Sequence, residues 1–430
     1  MKGRIIEQGF GVMESFRELP GNVNLHNVTA AMIGTVFAIA GPLMLLINIS
    51  NDAHLTNDQT VTWMFGFFFL AGIQMMFLNV YYRQPMAIGF SLPGIIVIGY
   101  LLKVFPHDQM AGAYIVAALA LIFLGLTGLI KKVVRYLPLP IVMAMIAGAL
   151  LSYGLGIVSS VQKDYAGAGL TVLAFFLSRL FTKKVPPQVT ALVVGIIVSI
   201  FLMKWHMTVG NFSFNLVFVS PSFSAPAIVS VGLPLLLLTL ADFLKGNGIL
   251  LVNKYNTPTN AVISLTGLFG VIGGPLLSPG YTLAGPLTAI LAADEAGPRE
   301  SRWVGAFVKG FVQILFAAFA VFLVPFLKSL PGTIINLLAG LAMISLFTNA
   351  FDTAFRSDNK LQIGAFFAFI VACSNISIYH IASPVWSLLV GVAVSFIFER
   401  ENLKASLGIG EQSIKSTVIG EGVVGGGNAL

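Results

Sequence analysis

The chain has 430 residues, 57% of them hydrophobic and only 10% charged, with a mean hydropathy of +0.91. That composition describes a polytopic membrane protein and excludes an assembly of soluble domains, since no stretch beyond about 30 residues has soluble composition. The net charge of +7 suggests nucleic acid only until the basic residues are placed; they fall mostly in loops on one side, so the partner is the lipid bilayer and not nucleic acid.

Residues 1–27 carry Lys2, Arg4, Glu7, Glu14, Arg17 and Glu18 before any apolar run. They read as a cytoplasmic lead with a short surface helix rather than a signal peptide. Segment 1 spans 28–49 and contains Gly41-Pro42; segment 2 spans 62–80. Segment 3, 84–102, reads QPMAIGFSLPGIIVIGYLL and is too broken at its start for an ordinary membrane helix. Pro85, Gly89, Pro93 and Gly94 interrupt its first half. The pattern predicts an extended run over 86–92 that turns at Pro93 into a half-helix opening near the bilayer midplane. Irregular backbone at that depth is tolerated only in a cavity lining or inside protein.

Segments 4, 5, 6 and 7 span 111–130, 140–158, 167–181 and 189–203, with Lys131, Lys132, Arg135, Lys183 and Lys184 in the intervening basic loops. A polar extracytoplasmic linker, 204–225, follows. Segment 8 spans 226–244 with Pro234 inside, and segment 9 spans 260–277. Segment 10, 278–294, reads SPGYTLAGPLTAILAAD and repeats the plan of segment 3, its half-helix starting at Pro286. Segments 11 to 14 span 303–327, 332–347, 361–374 and 385–398, and 399–430 reads as a disordered, Gly-rich cytoplasmic tail.

The two halves share one offset. Pro42 and Pro234 differ by 192, Pro93 and Pro286 by 193, and Leu137-Pro138 and Leu330-Pro331 by 193. Ala147-Gly148 and Ala339-Gly340 differ by 192, and Ser199 and Ser395, in a shared G-x-x-V-S, by 196. This predicts repeats over 28–203 and 226–398, seven segments each; an odd number inverts the second. The fold class is therefore an all-α membrane protein of fourteen segments in two inverted repeats. With the N-terminus inside, 20 of the 24 Lys and Arg residues are cytoplasmic, Lys309 among them. Only Lys103, Lys163, Lys204 and Lys328 fall outside.

In an inverted pair the two half-helices face each other N-terminus to N-terminus. Each contributes about half a positive charge and unpaired N–H donors, so the space between them suits a small anion. Ser91 and Thr282 stand just before the turns as hydroxyl donors, or else satisfy their own backbone. Phe90 and Tyr281 offer an aromatic wall, or else pack. Asp242, eight residues past Pro234, is either a buried proton carrier or a headgroup-level acid beside Lys245. Thr239 lies one turn before it. His26, His54, His107, His206 and His380 stand near span ends or in loops, so no metal cluster and no cofactor is expected. A single cysteine, Cys373, excludes an internal disulfide. No H-E-x-x-H or P-loop motif supports an enzyme or nucleotide-driven pump.

YYRQPMAIGFSLPG (81–94), PLLLLTL (234–240), LTAILAADEAGPRESRW (287–303) and LPGTIINLLAGLAMIS (330–345) resemble the benzoate:proton symporter family. The resemblance covers most of segments 1 to 14. It implies a fold like that of uracil permease-type nucleobase transporters and sulfate transporters. A core domain (segments 1–4 and 8–11) would move against a gate domain (5–7 and 12–14), often in a homodimer. It implies a substrate between segments 3 and 10, at Phe90, Ser91, Gly94, Ala284 and Gly285, with side chains from segments 1 and 8; Pro93, Pro42 and Thr239 are further candidate substrate contacts. The implied activity is import of a small aromatic carboxylate with protons across a bacterial inner membrane, both termini cytoplasmic. Two positions depart from the signature: Phe90 stands where the family has Trp, and Ala241-Asp242-Phe243 where it tends to polar amides. A proton-coupled nucleobase transporter and an anion channel or uniporter of the same fold remain alternatives.

Overall fold

The computed structural model describes residues 6–130, 132, 138–181, 186–203, 205, 214–356, 360–374, 376–378 and 381–406. Each of the fourteen predicted segments contains helix. Segment 1 starts at a capping box, in which Asn24 and Asn27 satisfy each other's backbone N–H groups, and runs as Leu25–Ala38, a π turn Ile39–Leu43 and Met44–Asp52. Pro42 sits inside the π turn, where its missing N–H and its ring displace the regular ladder. Segment 8 repeats the device: a π turn Ile228–Gly232 leads into Leu233–Val252, with Pro234 in the first turn.

Segment 2 is Asn57–Tyr82, opened by a Thr56–Gln59 capping box and closed by Arg83 in the left-handed region at φ 53°. Segments 4, 5 and 9 are His107–Thr127, Leu139–Lys163 and Thr259–Gly273. Segment 11 is two helices, Arg302–Ala318 and Ala320–Ser329, bent by 69°. Segment 12 is Gly332–Phe355. These, with segments 1 and 8, are long and apolar enough to cross a bilayer if the bent pair is one span.

The six remaining segments are shorter. They are Leu92–Leu101, Gly167–Phe181, Pro187–Phe201, Gly285–Ala292, Gln362–Cys373 and Ser383–Phe398, that is, segments 3, 6, 7, 10, 13 and 14. A helix of 15 residues covers only about 22 Å, short of a ~30 Å hydrocarbon core. The short members occupy matching places in the two halves, which is what a repeat requires.

The strands carry the same symmetry. β1 (Ile88–Phe90) precedes the half-helix of segment 3, and β2 (Tyr281–Leu283) precedes that of segment 10. They pair antiparallel, Ile88 with Leu283, Gly89 with Thr282, Phe90 with Tyr281. The central pair differs by 193 (282 − 89), the repeat offset itself, so the pseudo-two-fold axis passes between Gly89 and its own counterpart. Gln74 and Thr266, 192 apart, meet in a second self-related pair, where the Gln74 Nε2 donates to Thr266 Oγ1 at 3.1 Å.

Packing follows the same exchange. Segment 2 lies along segment 11 and segment 4 along segment 9, which are images of each other, while segment 5 lies along its own image, segment 12. At the 2–11 contact Gly72 and Gly310 let the backbones touch: a Cβ on Gly72 would stand 2.8 Å from the Gly310 carbonyl. Small residues at helix contacts are the ordinary means of close approach in membrane proteins.

The termini differ partly from expectation. A surface helix, Val12–Asn22, forms in the lead, and the Glu7 carboxylate accepts from the Asn260 and Ala261 N–H groups at the start of segment 9. The predicted tail begins with a helix, Arg400–Ser406, rather than disorder. Its anchor is Glu399, whose carboxylate accepts from Ile363 and Gly364 N–H at the start of segment 13 and from Ser395. Residues 407–430 lie outside the described residues, as do Lys131, Arg135, Leu137, Lys183, Lys184 and Lys204. Within the linker, 206–213 also lie outside; the remainder lies against segments 2, 4 and 9 through Val217, Ser222 and Val219.

Candidate functional site

The crossing of segments 3 and 10 is fixed from segment 2. The Asn79 amide clamps Met86, accepting from its N–H and donating to its carbonyl, both at 2.8 Å. That holds the chain extended into β1. The ladder continues one step past β2, where Ala284 N–H donates to the Ala87 carbonyl. Both chains then turn into helix, the first at buried Ser91 and the second at half-buried Ala284 and exposed Pro286, so the two half-helix N-termini flank one small sheet.

The termini are not alike. Ser91 is the N-cap of the first half-helix, accepting from Gly94 N–H at 3.1 Å while its hydroxyl donates to Asp242 Oδ2 at 2.7 Å. A carboxyl group thus already stands behind the first N-terminus. Asp242 is 8% exposed, a buried acid. Lys245, one turn on, points its ammonium at Met143 Sδ of segment 5. The second half-helix has Ala284 at its N-cap and no capping side chain. Pro at N1/N2 in both helices removes an N–H that has no intrahelical partner anyway.

A cavity of ≈ 40 Å³ lies at the crossing, lined by Pro42, Phe68, Phe90, Ala284, Lys309 and Gln313 among others. Its apolar side is aromatic: the Phe90 ring lies 4.7 Å from Phe67 and 6.1 Å from Phe68. At that size it holds about one water, whose share of liquid volume is about 30 Å³, so an aromatic ligand enters only if the cavity widens.

Of the residues singled out from the sequence, Pro42, Phe90 and Ala284 come together at this cavity, and Ser91 and Asp242 are joined beside it. Gly94 and Gly285 instead admit segment 8: a Cβ on Gly94 would stand 3.2 Å from Leu235 Cδ1, and one on Gly285 3.5 Å from Lys245 Cβ. Pro93 is buried in the first turn of its half-helix. Thr282 Oγ1 donates to the Thr239 carbonyl at 3.0 Å, so these two brace segment 8 against β2. Tyr281 is fully buried and does not line the cavity, its hydroxyl donating to the Gly66 carbonyl and sharing a hydrogen bond with Ser278. Phe67 and Phe68 take its place beside Phe90.

Lys309 is the residue to which the sequence reading gave no role at the site. Counted there with the cytoplasmic cations, it is 1% exposed and lines the cavity from segment 11, hydrogen-bonded to Gln313. The available signal was a Lys and a Gln four apart, on one face of an otherwise apolar helix. Among the described residues no metal-binding group of His, Cys, Asp or Glu forms; His206 and His380 lie outside them.

Comparison with known proteins agrees with this architecture. The family model described as "Benzoate membrane transport protein" matches residues 21–397. The chain is 26% identical over 385 residues to the benzoate membrane transport protein of Acinetobacter baylyi, covering 87% of this chain and 95% of that one. It is 28% identical over 371 residues to the inner membrane protein YdcO of Escherichia coli, covering 82% and 93%. In structure it is similar to the transmembrane domain of a cyanobacterial bicarbonate transporter, BicA, with TM-score 0.59, 17% identity and coverage of 90% and 100%. It is also similar to the murine anion transporter Slc26a9 in its inward-facing state, with TM-score 0.57, 15% identity and coverage of 91% and 71%. These structures share the fold.

Proposed function

The chain belongs to the benzoate membrane transport protein family, a family of membrane transporters rather than enzymes, and from that premise we propose that it imports a small aromatic carboxylate by proton symport. The observation that carries this reading is the crossing itself. Two half-helix N-termini face one small sheet, beside a cavity with an aromatic side. That combination suits a planar anion with an apolar body.

The Ser91–Asp242 bond supports proton coupling. A carboxyl group buried in a membrane-embedded core is a functional group by default, and this one is tied to the cap of a half-helix. A change in its protonation alters the hydrogen bond that holds that helix start. The energetics agree. Importing a monoanion against an inside-negative potential costs about 2.3 kcal/mol per 100 mV, and one accompanying proton cancels that cost.

For alternating access, segments 1–4 and 8–11 form the core and segments 5–7 and 12–14 the gate. The packing supports this division, since segments 2, 4, 9 and 11 pair among themselves and segments 5, 12, 13 and 14 among themselves. A cavity of ≈ 230 Å³ lies between the groups, lined by Asn48, Ile96 and Tyr100 on one side and Met145, Tyr153 and Asn336 on the other. With both termini cytoplasmic in a bacterial inner membrane, this is the outer entrance.

Uptake of labelled benzoate into proteoliposomes, with uracil and bicarbonate as competitors, tests the reading. Saturable uptake that rises with an inward proton gradient and resists both competitors supports it. Displacement by uracil supports the nucleobase reading instead, and uptake indifferent to the gradient supports a channel or uniporter.

A further inference from the structure

Lys309 takes no part in the cycle as described so far, and its position is costly without one. It lies seven residues past Arg302, about 10 Å into the helix. Its Cδ and Cε pass Gly34 of segment 1, where a Cβ would stand 3.6 and 3.7 Å from them. Its hydrogen-bond partner is the neutral Gln313 carbonyl oxygen, and among the described residues no carboxylate pairs with it. A buried ammonium without an anion is strongly disfavoured, so such a group marks a place where an anion arrives.

The two half-helices show where. The N-terminus at Leu92 has its cap and, behind it, the Asp242 carboxylate. The N-terminus at Gly285 has neither, and it borders the cavity that Lys309 enters, through Ala284, Pro286 and Leu287. One end of the crossing already holds an acidic side chain and the other holds donors without one.

We propose that Lys309, oriented by Gln313, receives the substrate carboxylate at the uncapped N-terminus of the segment 10 half-helix, while the ring of the substrate lies toward Phe90. This rests on the reading of the protein as a carboxylate transporter and assigns the charge recognition within it. The site then selects monocarboxylates with a flat apolar body over neutral amides and uncharged heterocycles. A neutral ligand leaves the ammonium unpaired, and a second carboxylate on the ligand would meet the apolar side.

The test is equilibrium binding of labelled benzoate to the purified, detergent-solubilised protein, with competition by benzamide, its neutral isostere. Wild type is expected to prefer benzoate. In Lys309→Met, benzoate binding falls about 10- to 100-fold while benzamide competition changes little. Lys309→Arg keeps a large part of the preference. Lys309→Gln, which retains a polar partner for Gln313, replaces the Met variant if that one does not fold. A benzoate-to-benzamide ratio unchanged in the neutral variants overturns the assignment, even if their thermal stability drops, because a purely structural lysine moves stability alone. The two readings fail separately. If wild type binds another small anion but not benzoate, the aromatic substrate is wrong, and the same variants tested with that anion still decide the role of Lys309. If wild type binds none of benzoate, nicotinate, acetate and bicarbonate, both are overturned.

Discussion

The Ser91 hydroxyl caps the segment 3 half-helix and donates to Asp242, so one side chain links the start of that helix to the buried acid. Ser91→Ala removes both contacts. Loss of an N-cap costs about 1 kcal/mol, visible as a lowered melting temperature, and uptake falls further than that stability loss explains because Asp242 is released. Asp242→Asn is expected to keep benzoate exchange between the two sides of the membrane while losing its stimulation by an inward proton gradient; counterflow and gradient-driven uptake on one preparation check this. An Asn variant still stimulated like wild type would remove Asp242 from the coupling path. At this scale the sequence was only partly legible. Phe90 and Asp242 were found because a signature and an apolar run surround them. Phe90 and Tyr281 read as one aromatic wall, yet the 193-residue offset makes Leu283 the counterpart of Phe90 and Ile88 that of Tyr281. The Tyr281 hydroxyl reaches the Gly66 carbonyl of segment 2 and Ser278, which fixes it in packing. Lys309 was hidden by charge counting, which assigns a cation near a helix start to the interface without knowing which way the helix faces.

Proline and glycine made the broken elements readable. Pro93 and Pro286 sit where a helix accepts proline, in its first turn, and the extended runs before them need the partner strand that the other repeat supplies. The π turns of segments 1 and 8 were not readable, because Pro42 and Pro234 announce a disturbance but not its geometry. Gly285 gives an element-scale test. Its missing Cβ meets Lys245 Cβ at 3.5 Å, ordinary contact distance, so Gly285→Ala is expected to bind substrate within a few-fold of wild type. Gly285→Leu pushes segment 8 from the half-helix and loses binding. Equal affinity in the two variants, measured by benzoate-induced thermal stabilisation, would show that this contact does not set the site.

At the scale of the molecule, the repeat offset carried most of the fold. It pointed to two inverted repeats and to the pairing of segment 3 with segment 10, because a two-fold axis leaves its mark as a constant difference in numbering. Helix length was legible too: segments 6, 7, 13 and 14 are helical over their predicted bounds to within two residues at either end. The core–gate division predicts that closing the cavity beside Asn336 stops transport. In a Cys373→Ser background, an impermeant thiol reagent added outside to Asn336→Cys is expected to abolish uptake and leave the fold intact. The measurement that bears most directly on the whole account is proton flux paired with benzoate flux, read from a pH dye sealed inside proteoliposomes, with protein-free liposomes correcting for benzoic acid that crosses unaided. The account predicts that benzoate added outside acidifies the lumen in step with its uptake, with the protein-dependent part absent in Asp242→Asn. Protein-dependent benzoate entry with no accompanying proton would contradict it.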